Sequence, residues 1–268
     1  MTSVEESRTP PRTSRATRCW LSRTAVVTAA AGTGIGGATA RRFLEEGADV
    51  VLGDLHARRL AVSVAALAEE FGDRRVAGTT CDVTDETHVH RLLDLAEERH
   101  GRLDVLVNNA GLGGTAELAD MTDAQWEKVV NTTLYGTFRC TRAALRRMRA
   151  GGQGGAIVNN ASVVGWRAQH GQAHYAAAKA GVMALTRCAA VEAAHYGVRV
   201  NAVSPSLAAH PPTWRRSPRP RCSRSWLGRE AFGRPAEPWE VANVIVFLAS
   251  GYASYMTGET VSVSSQRA

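Results

Sequence analysis

Lysine is nearly missing from this chain: two residues stand against 30 arginines. A ratio so skewed points to a GC-rich genome rather than to a binding surface. No run of about 20 apolar residues occurs, which excludes a transmembrane helix. The N-terminus carries arginines but no apolar stretch before a small-residue cleavage site, so secretion is not expected. The five cysteines (Cys19, Cys81, Cys140, Cys188 and Cys222) are odd in number, scattered, and form no C-x-x-C pair. They suit neither a disulfide framework nor a zinc site, and a reducing cytoplasm with no bound metal is the expectation. What remains is 268 residues, 44% of them apolar, enough for one large α/β domain with a full core.

The net charge of +7 raises the question of an anionic partner such as nucleic acid. Its distribution argues against one. Residues 1–23 hold five arginines and two glutamates, and residues 211–229 hold six arginines and no acid. Without these segments the chain has 21 basic and 23 acidic residues. Both segments lack periodicity, and the only aromatics interleaved in the second are Trp214 and Trp226, so neither nucleic acid nor membrane is an expected partner. Their arginine- and proline-heavy composition is what GC-rich DNA yields in the wrong reading frame. Compensating frame errors over 8–23 and 207–229 are therefore an expectation, to be tested on the coding DNA.

Between these segments, short β-branched runs alternate with longer helical patterns. Strands are predicted at 24–28, 48–53, 75–80, 103–108, 155–160, 198–203 and 259–264, and helices near 35–46, 56–70, 86–100, 123–149, 174–196 and 238–250. Apolar strands alternating with helices mean a parallel sheet covered on both faces. About seven strands in one chain predict a single-domain, Rossmann-type doubly wound α/β sheet, with ligands beyond the carboxyl ends of the strands. Residues 1–22 read as a disordered or loosely packed arm, and 23–268 as the domain.

The first strand runs into "VTAAAGTGIGGATARRF", where Gly32, Gly34 and Gly36 fall between a strand and a helix. Glycines there permit a tight turn and close approach of a pyrophosphate to the helix N-terminus. Asp54 follows 18 residues after Gly36, at the end of the second strand. An acid there accepts hydrogen bonds from ribose hydroxyls and repels a 2′-phosphate; the plain alternative is a cap on the next helix. Arg58 and Arg59 lie close by and leave NADP open. Asp82 in "TCDVTD" stands where it reaches an adenine amino group. "LVNNAG" closes the fourth strand, and its Asn108 and Asn109 are placed to tie loops together as well as to border a cofactor. In "HYAAAKAG", Tyr175 and Lys179 lie four residues apart and so leave the same side of a helix. Ser162 stands 13 residues before Tyr175, just past the fifth strand.

In order and spacing, the glycine turn, Asp54, Asp82, "NNAG", Ser…Tyr-x-x-x-Lys and "NAVSP" (201–205) resemble the short-chain dehydrogenase/reductase family over about residues 24–265. The resemblance implies a catalytic set of Ser162, Tyr175 and Lys179. It also implies a nicotinamide cofactor bordered by Ala30, Gly32, Gly34, Ile35, Gly36, Asp54, Asp82, Val83, Asn109, Ala110, Gly111, Tyr175, Lys179 and Pro205. The chemistry accounts for the residue types. A free tyrosine titrates near ~10 and is a poor base at neutral pH, and an ammonium one turn away is expected to lower that value. Ser162 is expected to hydrogen-bond the substrate oxygen. The family also implies a homo-oligomer, a tetramer or dimer, with the two long helices packed across a two-fold axis.

The departures from the family are specific. The glycine turn is one residue longer, so that counting back from Gly34 puts Ala30 at the family's first glycine, an alanine expected to keep a negative φ. The family's fourth catalytic residue, an Asn after the fourth strand, falls at Thr133, whose hydroxyl is the candidate to hold a relay water. Asn131 lies about 200° around the helix and is no substitute. The Thr that often contacts the carboxamide aligns with His210. Prolines at 211, 212, 218 and 220 break the helices that usually close over the substrate, leaving 206–234 as an irregular lid. The wording of "TAAAGTGIG", "NNASVVGWRAQH" and "GETVSVSSQRA" resembles an actinobacterial subgroup linked to sterol degradation, with Trp166 and Arg167 candidates to line a pocket for bulky acyl-CoA substrates. The expectation is an NAD-dependent alcohol dehydrogenase or ketoreductase, with NADP as the other possible cofactor. The rivals are an NADPH-dependent 3-oxoacyl-thioester reductase and a weakly active or non-catalytic nucleotide-binding relative.

Overall fold

The seven predicted strands form and lie parallel in one sheet, seen in a computed structural model that describes residues 20–209 and 230–266. The strands are β1 (Thr24–Thr28), β2 (Asp49–Asp54), β3 (Val76–Thr80), β4 (Val105–Asn108), β5 (Gly155–Asn160), β6 (Val198–Pro205) and β7 (Thr260–Val263). Their spatial order is β3-β2-β1-β4-β5-β6-β7. Period-two alternation sends successive side chains to opposite faces. Thus Ala25 and Val27 of β1 enter one core and Val26 the other. Val50 and Leu52, then Val105 and Val107, repeat the first choice, and Val51 and Leu106 the second.

Each core is closed by its own helices. One face is covered by α1 (Ile35–Glu45), α2 (Ala57–Phe71) and α7 (Pro238–Ala249), through Phe43, Leu44, Leu60, Leu67, Ile245 and Leu248. The other is covered by α3 (Glu86–His100), α5 (Gly136–Gly151) and α6 (Ala173–Ala193), through Leu92, Leu93, Ala143, Met148 and Ala190. Burial of these residues at about 25 cal/mol per Å² of apolar surface is the main term that holds helices to sheet. Because the chain winds outward from β1 in one direction and from β4 in the other, a crevice opens beyond the carboxyl ends of these two neighbours.

Three expectations change. The helix predicted over 123–149 is α4 (Asp123–Val130), a π turn at Asn131–Tyr135, and α5 in continuous succession. The extra residue falls where Thr133 is buried, and such bulges often mark functional sites. Trp20, within the segment expected to be loose, is buried and meets the Phe43 ring edge-on at 4.9 Å, while Leu21 and Ser22 are exposed. The third change concerns the expected irregular lid, whose flanks are held. Leu207 and Ala209 exchange backbone hydrogen bonds with Ala236, and Glu230 forms a bridge with Gln266. Residues 1–19, 210–229 and His210 lie outside the described residues. Of the two arginine segments, the described ends pack like native chain: Arg23 donates to Asp104 at 2.7 Å. Among the described residues no helix is long and apolar enough to cross a membrane.

Candidate active site

The turn after β1 is built by mutual hydrogen bonds. Thr28 Oγ1 accepts the N–H groups of Asn109 and Ala110, each at 3.0 Å, and Asn109 Nδ2 donates to the carbonyls of Thr28 and Ala29. The loops after β1 and β4 are therefore one unit. A Cβ on Gly36 would stand 2.3 Å from the Ala29 oxygen and 2.6 Å from Asn109 Nδ2, so only glycine fits where α1 approaches. Gly32 has φ +89 and Gly34 caps α1 without a side-chain bond, which leaves the first turn's N–H groups to a ligand anion. The residue forced into the left-handed region is Ala29, at φ 50, not Ala30. Ala30 is fully buried, gives its N–H to Gly53, and does not face the cleft, which corrects its expected role at the cofactor.

Asp54 closes the far end. Its carboxylate accepts from the N–H of Ala31 at 3.0 Å and of His56 at 2.9 Å, and the Arg59 guanidinium stands 3.8 Å away. The capping reading of Asp54 is thus partly right, because it fixes the entry to α2 while still lining the cleft. The cradle at Gly36, the open helix terminus and this acid together fit a dinucleotide.

At the other end, Ser162 leaves β5 and starts a short 3-10 turn, with Val164 N–H bonding its Oγ at 3.3 Å. Tyr175 and Lys179 project from the first turns of α6, and Ser162 hydrogen-bonds the Tyr175 phenol. Burial raises the Tyr175 pKa, and the Ser162 bond pulls it back. The expected lowering by the lysine charge is not what moves it. Lys179 Nζ sits 5.6 Å from the tyrosine ring centroid and donates to the Asn160 carbonyl. Burial with no carboxylate beside it brings the lysine itself down to about 8. A Cβ on Gly111 would meet Lys179 Nζ at 3.4 Å, an ordinary contact, so this loop passes directly beside the lysine.

These groups share one cleft of about 680 Å3, of the size that holds cofactors and drug-sized ligands. Gly32, Gly34, Ile35, Gly36, Asp54, Asn109, Gly111, Ser162, Tyr175 and Lys179 line it. Thr133 does not. Its hydroxyl donates to the Leu112 carbonyl and accepts the Leu112 N–H, at 3.1 and 3.0 Å, so it clamps the loop after β4. Asn131 bonds Arg139, away from the site. Asp82 accepts from Thr84 N–H and Oγ1 through Oδ1 alone, and Val83 packs over Gly136. Ala110 serves through its backbone, and Pro205 pairs with Val263 within the sheet. Trp166 is half-exposed and Arg167 donates to Gln266, and neither lines the cleft.

Sequence reasoning missed Asn160, Gln169, Gln172, Ser206, Leu207 and Gln266, all of which face the cleft. Asn160 alone carried a signal, as a polar residue at the end of a buried strand. Its Nδ2 donates to Asn109 Oδ1, so one amide pair links the glycine turn to the carbonyl that holds Lys179.

The family described as "Enoyl-(Acyl carrier protein) reductase" matches residues 29–265. A "(5R,7aS)-5-hydroxy-7a-methyl-1-oxo-2,3,5,6,7,7a-hexahydro-1H-indene-carboxyl-CoA reductase" of Mycobacterium tuberculosis is 61% identical, across 90% of this chain and 91% of that protein. A cis-4-hydroxycyclohexanecarboxylate dehydrogenase of Sinomonas cyclohexanicum is 45% identical, across 90% and 94%. The crystal structure of a short chain dehydrogenase from Mycobacterium smegmatis superposes with a TM-score of 0.83 at 57% identity, covering 94% of this chain and 96% of that one.

Proposed function

Because the chain belongs to the short-chain dehydrogenase/reductase family of oxidoreductases, we propose that it interconverts a secondary alcohol and a ketone on a cyclic, CoA-linked acid, using NAD(H) in preference to NADP(H). The observation that carries the reading is the placement of Ser162, Tyr175 and Lys179 at one end of a cleft whose other end holds the Asp54 carboxylate. When bound, the nicotinamide supplies or accepts the hydride. The chain's own residues handle the oxygen. In the reductive direction the Ser162 hydroxyl donates to the carbonyl oxygen and orients it. Tyr175 then gives its phenolic proton to that oxygen as negative charge develops there. The Lys179 ammonium, beside the tyrosine ring, offsets the phenolate left behind. Oxidation runs the same steps backward, with Tyr175 as the base.

The cyclic substrate class rests on the activities for which the two relatives are named, both on hydroxylated rings, and the CoA link rests on the first alone. The NAD preference rests on Asp54, which is buried to 5% exposure and already neutralises the nearest guanidinium, Arg59. A 2′-phosphate would meet that carboxylate. The test compares kcat/KM for NADH and NADPH in the wild type and in Asp54→Ala. The wild type should favour NADH by at least about tenfold, one such factor being ~1.4 kcal/mol, and the variant should narrow or reverse the ratio. An unchanged ratio would reduce Asp54 to a loop anchor.

A further inference from the structure

Charge is unevenly distributed along the cleft. Among its described lining residues only Asp54, Arg59 and Lys179 are charged. The first two belong to the cofactor end, and Lys179 is buried against the Asn160 carbonyl. The wall around the Ser162–Tyr175 pair is neutral but polar, with Gln169, Gln172, Ser206 and Gln266 beside Leu207. Gln266 is occupied, since it accepts from Arg167 at 2.9 Å and donates to buried Glu230 at 3.1 Å. Gln169 and Gln172 are different. Both are half-buried, and neither amide side chain has a hydrogen-bond partner among the described residues. Gln172 occupies the N-cap of α6, where a side chain commonly bonds the first turn, yet it makes no cap bond. Half-buried amides that line the cleft and bond no other described side chain are free to exchange water for a ligand oxygen.

We infer that the part of the substrate held in this cleft is electrically neutral, and that Gln169 and Gln172 hydrogen-bond a second oxygen on it, a ketone, hydroxyl or thioester carbonyl apart from the reacting one. The inference rests on the proposed function only in taking Ser162 and Tyr175 as the seat of the reacting oxygen. A free carboxylate in the same place would lose its water without gaining a cation from the described lining residues. A thioester carbonyl loses little, and the amide N–H groups replace its solvent. A substrate with an acid group must therefore be presented as a thioester or ester.

Binding to the complex with NAD+, a dead-end pair with a ketone, reads recognition even if no hydride moves. The probes are 4-oxocyclohexanecarboxylate, its N-acetylcysteamine thioester, and cyclohexanone, titrated by calorimetry. The thioester should bind at least about tenfold tighter than either of the others, because a site built to bond an oxygen rejects an analogue lacking it. Gln172→Leu and Gln169→Leu should each erase most of that advantage and leave cyclohexanone and NAD+ binding unchanged. Gln172→Arg should tighten the carboxylate, a gain that misfolding cannot imitate. Equal or tighter binding of the carboxylate by the wild type, no binding of the thioester, or equal loss for all three ketones in the leucine variants would overturn the inference. Thioester binding with no turnover in any direction would instead count against the proposed function and leave this inference standing.

Discussion

Tyr175 must give up and regain a proton in surroundings that penalise its charged form, because burial raises its pKa and only the Ser162 bond opposes that. Its hydroxyl has no substitute in the cleft. Tyr175→Phe should therefore lower kcat by at least about a thousandfold, the scale of a lost acid–base group, while NADH affinity by fluorescence titration stays within a factor of about two. Activity above a tenth of wild type would remove Tyr175 from its role. Lys179 has the opposite problem. Burial depresses its pKa to about 8 from the 10.5 of an exposed lysine. Ketone reduction should fall as pH rises through that value and the ammonium is lost. The stability effect has the other sign. Below about 8 both folded and unfolded chains hold the proton and the burial penalty is full. Between 8 and 10.5 the unfolded chain holds more protons, so rising pH favours the fold. Urea unfolding should thus show wild type gaining roughly 2 kcal/mol on Lys179→Met between pH 7 and 10, and a pH-independent difference would show that Lys179 is not depressed.

The turn after β1 carries backbone strain, with Ala29 at φ 50 where glycine is the usual resident. An alanine in the left-handed region costs about 1–2 kcal/mol, partly offset by its smaller unfolded-state entropy. Ala29→Gly should raise the urea midpoint, by about 0.5–1 kcal/mol of stability, because the Ala29 carbonyl that receives Asn109 is unchanged. A lower midpoint would mean that the conformation is relaxed. This position also marks where sequence reading stops. Strands and helices were legible to within two or three residues because apolar period is a local property, as in β1 and β5, which match their predicted limits. The shared face of Tyr175 and Lys179 was legible because spacing on one helix fixes it. The positive φ of Ala29 was not legible because a loop has no period by which to count. The bond of Thr133 to Leu112 was not legible because nothing local reveals the π turn that sets it. Gln169 and Gln172 were invisible because facing a cleft depends on the path of the whole segment between Ser162 and α6.

At the scale of the whole molecule, α6 has three duties on three faces. One face packs on the sheet through Val182, Ala189 and Ala193, and its first turns carry Tyr175 and Lys179. The third presents Ala177, Ala180, Ala184, Cys188 and Val191 to solvent at three- and four-residue spacing. That stripe is apolar, and Tyr135 at the end of the π turn and Phe138 on α5 stand in the open, each with an arginine, Arg139 or Arg142, over its ring. Tyr252 and Tyr255, beyond α7, are more exposed still. A monomer seldom leaves so many large apolar groups uncovered in groups. We propose a homotetramer in which α5 and α6 meet their own copies across a two-fold axis, so that the small residues allow close helix contact. Light scattering at micromolar concentration should give four times the chain mass. Ala184→Glu places a carboxylate in the middle of the stripe, and near a two-fold axis the substitution meets itself. It should therefore shift the mass to dimer or monomer and lower the melting temperature by several degrees, while isolated surface changes such as Arg58→Ala do neither. A wild-type monomer, or an Ala184→Glu variant of unchanged mass, would mean that this face of α6 serves no assembly.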